Sequence, residues 1–503
     1  MKTCLIESTK ISRRSFLQAL GALTLSGSLA ACGGTGKAKS DRLAAGSLAY
    51  TPDEVVTVEF SDGGITVSPE DAAGLAVEGT ALSVSGAGVY VLSGRCADGS
   101  VKVEAQTEDV VLLLDGLTLT SADTAPIVCG ESTGVTIAVV DGTENTLTDS
   151  EANDPDNAAD NENAEKAVVK CKDGSQVILC GGGALTVNAL GKNGIKSGTA
   201  LDDRDASLTI RELTLNIEAL VNDAINAEQR LKVESGNLTI AAGEDAIHCD
   251  MELNIGAEGT TGPAITVSTC CEGLEGAVLN IYSGNMDITS TDDCLNAANS
   301  DLGDYAFEIN ISGGTIKAYS SEGDGFDSNG TLTITGGDIS VWTANAADNQ
   351  PLDADGRITI SGGTVLAAGG SAGMGFSISA SQPYVIFGGG RDSSLSLAGG
   401  AAFSIADESG KSVLDSTALC DAAFLFYSSS ALTAEGHYSV QSTVTATAKT
   451  GEADTQFGGN GGPGGSGGQR PDGMTPPDGQ MPQGQPPQSD GTTPPELPAA
   501  SSN

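Results

Sequence analysis

Asp324-Gly325-Phe326-Asp327, then Thr331-Leu332-Thr333-Ile334, Gly336-Gly337 and Asp338-Ile339-Ser340-Val341, is the stretch that decides the fold. It joins an acidic rung, a short alternating run, a double glycine and a second alternating run. The order recurs as Arg357-Ile358-Thr359-Ile360, Gly362-Gly363 and Thr364-Val365-Leu366-Ala367, and again from Phe307 through Gly313-Gly314 to Ala318. Alternation of β-branched and polar residues over four or five positions is strand periodicity. The double glycine marks a bend where positive φ carries no steric cost. No window holds a helical period of useful length. That excludes a leucine-rich repeat, which returns through a helix.

The rungs themselves recur. They are Asn193-Gly194-Ile195-Lys196, Asp223-Ala224-Ile225-Asn226, Asp245-Ala246-Ile247-His248, Gly273-Leu274-Glu275, Asp293-Cys294-Leu295-Asn296, Asp324-Gly325-Phe326-Asp327, Gln350-Pro351-Leu352-Asp353 and Met374-Gly375-Phe376-Ser377. Asp223 and Asp245 are 22 residues apart, Asp293 and Asp324 31. Self-similarity at roughly 20–30 residues is the mark of a solenoid. Three short strands per turn and no helix predict an all-β fold, a single-stranded parallel β-helix (solenoid) with irregular N- and C-terminal caps. Ile195, Ile225, Ile247, Leu274, Leu295, Phe326, Leu352 and Phe376 should then form one inward file.

The chain has 503 residues, a net charge of −42 and only 4% aromatics. A solenoid grows by adding coils, so one long domain over 50–450 fits this length. Nucleic acid is excluded as a partner, because phosphate binding needs clustered Lys and Arg. So many carboxylates also repel one another in a compact state, which bound cations relieve.

The N-terminus reads as an address. Ser12-Arg13-Arg14-Ser15-Phe16-Leu17 has twin-arginine form, and Leu29-Ala30-Ala31-Cys32 looks like a lipoprotein cleavage box. Residues 1–31 are then a signal peptide, and Cys32 is the lipidated first residue of a membrane-anchored, extracytoplasmic lipoprotein at the cell surface. Residues 32–49 are a small-residue tether. From 451 to 503 the composition turns to Gly, Pro, Gln, Ser and Asp, which buries no core and predicts a disordered tail. Two other segments differ from the coils. Ala87 to Gly94 and Val110 to Leu119 read as first coils under an N-terminal cap, and Glu151 to Ala164 as a solvated loop. Of 11 cysteines, Cys129, Cys171, Cys249 and Cys294 fall where small inward residues are expected. They read as buried thiols rather than a disulfide framework.

The acidic rungs carry the chemistry. Equivalent positions on neighbouring coils lie about 4.8 Å apart, so Asp223, Asp245, Asp293, Asp324, Asp327 and Asp353 are candidate ion ligands. Carboxylates and turn carbonyls suit Ca²⁺. With His248 and His437 as the two histidines, transition metals are disfavoured. The competing reading makes these Asp side chains solvated turn residues that bond their own backbone. For sugar stacking the candidates are Trp342, Tyr282, Tyr305 and Tyr319.

One stretch is more specific. Val135-Thr136-Ile137 leading into Asp141-Gly142-Thr143-Glu144-Asn145-Thr146-Leu147-Thr148-Asp149 resembles the hallmark of a family of secreted bacterial carbohydrate-binding β-helix proteins. Gly183-Ala184-Leu185-Thr186-Val187 and Lys192 to Ser197 resemble its next block, and the likeness covers roughly Gly86 to Ser379. The resemblance implies a right-handed parallel β-helix akin to pectate-lyase folds, calcium between coils, and a cellulose-like or acidic polysaccharide as partner. Gly273-Leu274-Glu275 and Gln350-Pro351-Leu352 depart from the acidic pattern. No catalytic constellation is apparent, so a binding protein is expected rather than an enzyme. The alternatives are a non-catalytic surface adhesin, or a β-helix lyase or hydrolase; a lyase would draw its base from Lys192, Lys196, Arg204, Arg230, Lys232, Lys317 or Arg357.

Overall fold

The computed structural model describes residues 43–45, 48–50, 55–299, 302, 305–344, 349–370, 377–389 and 395–454. Cys32, the signal segment and Phe376 lie outside the described residues, as does the expected tail from 455 on. The described chain is all-β, with one short 3₁₀ turn at Glu151–Asn153.

From Gly88 to Ala380 the strands stack parallel in three columns. One column runs through Ala167–Cys171, Asn193–Ser197, Ile225–Ala227 and Ile247–Ile255 to Leu274–Ile281, Leu295–Ala297 and Phe326–Ser328. The next begins Gly134–Val139, Gln176–Gly181, Ser207–Ile210, and the third Glu144–Thr148, Ala184–Asn188, Thr214–Ala219. Each strand pairs with its equivalent one coil on, so the period read from the sequence becomes the stacking vector. The inward file forms as expected. Ile195 pairs with Ile225, Ile225 with Ile247, Ile247 with Leu274, Leu274 with Leu295, Leu295 with Phe326 and Phe326 with Leu352. All seven are buried in one continuous core.

The double glycines do two jobs. A Cβ on Gly336 would meet Ser312 O at 2.2 Å, and one on Gly362 would meet Thr335 O at 2.2 Å, so the first glycine admits the neighbouring coil. The second, Gly337 or Gly363, adopts positive φ at 94° or 80°. The cysteines at the four small inward positions are buried free thiols, with Cys129 directly over Cys171.

The ends are built differently from the coils. Near the N-terminus the hairpins Val55–Ser61 with Gly64–Ser68 and Leu75–Glu78 with Ala81–Val84 are antiparallel. Within the expected tether, Leu43–Ala45 pairs with Leu48–Tyr50. At the other end Phe424–Ser428 pairs antiparallel with both Thr364–Gly369 and Ser377–Gly388. Lys449–Asp454 also pairs with Ser377–Gly388, so strand structure runs past the expected start of the tail at 451. A separate antiparallel sheet of Ala402–Asp407, Ser412–Thr417, His437–Val440 and Val444–Thr447 completes this end. Antiparallel pairing blocks the open edge that a parallel stack would leave. The segment expected as a solvated loop is only partly so: Asn153 and Asp154 are buried, and Asn153 Nδ2 donates to Asp149 Oδ2 at 2.9 Å.

Candidate functional site: a graded ladder along one column

The rungs supply two parallel files of polar groups. The first-position file is Asn193, Asp223, Asp245, Glu272, Asp293, Asp324 and Gln350. Its main chain is a ladder: Gly194 N donates to Asp223 O at 3.0 Å, Ala224 N to Asp245 O at 3.0 Å, Ala246 N to Glu272 O at 2.9 Å, Gly273 N to Asp293 O at 2.9 Å and Gly325 N to Gln350 O at 2.9 Å. At Gly194, Gly273 and Gly325 the second rung position admits no side chain, because a Cβ there would lie 2.3–2.4 Å from the next coil's carbonyl oxygen. Side chains add to the ladder. Asp223 Oδ1 accepts from Asp245 N at 3.2 Å, Asp293 Oδ1 accepts from Asp324 N at 2.6 Å, and Asp324 Oδ1 accepts from Gln350 N. These carboxylates therefore hold coil to coil, a structural role that the turn reading anticipated only within a single turn.

Register corrects one rung. The acid missing at Gly273 is present one residue earlier, because Glu272 O occupies the ladder position. A search for an acid two residues before each inward apolar residue finds it: Glu272 stands to Leu274 as Asp245 does to Ile247.

The fourth rung position forms the outward file. In register order it reads Lys170, Lys196, Asn226, His248, Glu275, Asn296 and Asp327, then Asp353 beyond the Phe326–Leu352 bridge. Its charge passes from cationic to anionic along the stack. In the middle, His248 Nδ1 lies 3.0 Å from Asp245 Oδ2 and also contacts Glu275 Oε2, while Nε2 lies 2.8 Å from Asp250 Oδ1. Burial favours the neutral ring, but these three carboxylates outweigh it and push the His248 pKa to about 12. His248 is thus a resident cation. Asp245 is held by it and Asp223 by Asn226 Nδ2 at 2.7 Å.

Among the described residues the anionic end has no such cation. One oxygen each from Asp324, Asp327 and Asp353 lies within 4.8 Å of the others. Burial, with the Asp353 and Asp327 charges, pushes Asp324 up to about 7. Burial, with Asp353 and Asp355, pushes Asp327 to about 6. Asp293, on the neighbouring coil, is pushed to about 8 by burial and by Asp327 and Asp324. Burial also raises Asp353, although the Ala354 N–H and the Gln350 amide hold it down. Gln350 is 2% exposed, and its Oε1 has no hydrogen-bond partner among the described residues. Asn296 Oδ1, between Glu275 and Asp327 in the file, is likewise buried without one. Buried acceptors without donors are costly. Carboxylates and amide oxygens alone form the donor set of a hard divalent cation.

The expected sugar platforms fare differently. Trp342 is fully buried, its ring 6.0 Å from Phe403 at a 70° angle, and Nε1 donates to Ser340 Oγ at 2.9 Å. This corrects the sequence expectation: the C-terminal sheet covers the outer face of the strand that carries Trp342. Tyr319, beside Trp342 in register, packs half-buried against the same cluster. Tyr282 is half-buried and Tyr305 is exposed. Most cations named for a lyase carry ion pairs: Lys192 with Asp156 at 3.0 Å, Lys196 with Glu228 at 2.9 Å, Arg204 with Glu108, Arg230 with Asp205 at 3.1 Å, Lys317 with Asp287 at 3.0 Å and Arg357 with Glu452 at 3.0 Å. Lys232 is exposed.

The stretch Gly142 to Asp149 proves to be a coil clamp. Asn145 Oδ1 accepts from Leu117 N on the preceding coil at 2.8 Å. Asp149 Oδ1 accepts from Leu190 N at 2.7 Å and Gly191 N at 3.2 Å on the following one. Both side chains are buried.

A carbohydrate-binding domain-containing protein from Acetivibrio thermocellus is 29% identical over 184 residues, which is 36% of this chain and 60% of that protein. The chain thus spans about three-fifths of the length of that curated relative. A solved structure, a gadolinium derivative of a polysaccharide lyase-like protein from C. thermocellum, aligns over 62% of this chain and 93% of that one, with 23% identity and a TM-score of 0.31. The family model described as carbohydrate-binding domain-containing protein matches residues 78–373, more than half of the sequence, and the chain belongs to that family.

Proposed function

We propose that this chain is a cell-surface lipoprotein that binds polysaccharide, cellulose-like or acidic, without turning it over. Its coils wind as a right-handed parallel β-helix, the hand taken by about 98% of parallel crossover connections. Ca²⁺ sits at the anionic end of the outward ladder, on Asp324, Asp327 and Asp353, with Asp293 adjacent. The observation that carries the ion is the convergence of those three carboxylates beside the orphaned Gln350 oxygen. Asp223 and Asp245 are assigned to coil stacking, because Asn226 and His248 already engage them. The bound ion supplies positive charge where an acidic protein meets an acidic glycan. Tyr282 is kept as a sugar contact, Tyr319 lies at the edge of the C-terminal sheet, and Trp342 is withdrawn. Ion pairing of the coil cations supports binding over elimination chemistry. Anchorage rests on lipidation of Cys32 after twin-arginine export.

Co-sedimentation tests the function. The mature protein should be retained on insoluble polygalacturonate or cellulose in calcium, with no soluble sugar released. EDTA should weaken its retention on the acidic glycan. Failure to be retained on either polymer in calcium would overturn the reading, and steady release of unsaturated oligosaccharides would replace it with a lyase.

A further inference from the structure

The cationic end of the outward ladder is as unusual as the anionic one. Between 166 and 196 the sequence holds Lys166, Lys170, Lys172, Lys192 and Lys196 against a single acid, Asp173, in a chain of net charge −42. Folding concentrates them further. Lys170 lies directly over Lys196 on the next coil, at the spacing of about 4.8 Å between neighbouring strands. Two nearby acids are already engaged: Glu165 by Lys172 at 2.8 Å and Glu228 by Lys196 at 2.9 Å. Among the described residues the Lys170 ammonium has no ion pair or hydrogen bond of its own. It is half-buried, and burial together with the Lys196 charge lowers its pKa. The group thus carries one ammonium in excess of its carboxylates.

A partly desolvated ammonium stacked on a second one is favourable only with an anion between or above them. The adjoining surface is suited to a sugar ring. The three most exposed large apolar side chains among the described residues are Leu220 at 58%, Leu190 at 51% and Val221 at 48%. They lie on the turns that enter the strands Asn193–Ser197 and Ile225–Ala227. Aliphatic groups on the entering turns, with Lys196 and Asn226 on the strands and joined at 2.9 Å, offer the apolar and polar contacts that a pyranose takes.

We propose that Lys170 and Lys196 form a second, calcium-independent subsite, which takes the anionic substituent of a sugar unit, a carboxylate or a sulfate. This rests on the polysaccharide-binding reading and adds to it a place and a charge requirement. The glycan would lie along the ladder, with an anionic group held directly by ammonium at one end and through the ion at the other.

Calorimetric titration of the mature full-length chain in saturating calcium tests it, with oligogalacturonate, a sulfated galactan oligosaccharide and a neutral cello-oligosaccharide. Lys170→Gln should weaken binding of at least one anionic glycan about tenfold, the effect of losing one charge-assisted hydrogen bond. Cello-oligosaccharide affinity and the calcium-induced rise in Tm should not change, and Lys170→Arg should retain most of the affinity. Which anionic glycan responds distinguishes carboxylate from sulfate. A second measurement is independent of folding defects. Wild-type affinity for the responding glycan should fall as NaCl rises, and affinity for the neutral one should not. Equal binding by wild type and Lys170→Gln, or equal loss for neutral and anionic glycans, overturns the subsite and leaves polysaccharide binding standing. Failure of the wild type to bind any of the three overturns both.

Discussion

Stripped of divalent ions, the domain is expected to be more stable at pH 5 than at pH 8. Asp293, Asp324 and Asp327 are pushed from 3.8 to about 8, 7 and 6, and Glu272 from 4.5 to about 7, in each case chiefly by burial. A raised carboxylate pKa means that the folded state holds its proton more tightly than the unfolded chain does. The associated stability is complete below the unfolded pKa, near 4, and is lost as pH rises through the folded values of about 6 to 8. His248 acts in the same direction, since its loss begins near 6.5 and ends near 12. Four such groups make the difference on the order of several kcal/mol. Calcium should restore the loss at pH 8. A ligand specific for the folded state adds about 2.7 kcal/mol at a hundredfold excess over Kd. Thermal unfolding in EDTA across this range, then with Ca²⁺ or Mg²⁺, reads both effects. A flat profile, or greater stability at pH 8 without metal, would contradict the burial of these carboxylates.

Trp342→Ala is expected to destabilise the C-terminal end by about 3–5 kcal/mol, the usual cost of deleting a buried large aromatic. Trp342 joins Phe403, Leu366, Leu425 and Tyr427 in the cluster that binds the C-terminal sheet to the coils. It is the single Trp of the chain, so its fluorescence reports this contact. Emission should be that of a buried indole and should not respond to glycan. Urea unfolding followed by that emission measures the wild type, and circular dichroism measures the variant. Quenching by glycan, with a variant as stable as wild type, would return Trp342 to the role of a sugar platform.

The two residues show what the sequence makes legible. Phe326 lies in a rung, where its neighbours one period away are also large and apolar, so its inward position follows from periodicity alone. Trp342 lies at an outward position of its strand, in register with Tyr319 and Ala368. Its burial depends on a sheet that starts at Ala402, about sixty residues on, and no local pattern encodes that contact. The acidic ladder was legible as a set of Asp residues but not as two files. Separating Asp245 from Asp327 requires register, which places His248 beside the one and, among the described residues, no cation beside the other. Lys170 carries no signal in the sequence, because its coil has no acidic rung. Its significance appears only when Lys196 stacks on it.

The anionic end of the ladder, and not its acids in general, is proposed to hold calcium. Calorimetric titration of Ca²⁺ into metal-free wild type, Asp353→Asn and Asp223→Asn tests this most directly. The expected result is saturable binding by wild type and by Asp223→Asn, with affinity reduced at least tenfold in Asp353→Asn. Undiminished binding by Asp353→Asn, or no binding by wild type, would contradict it.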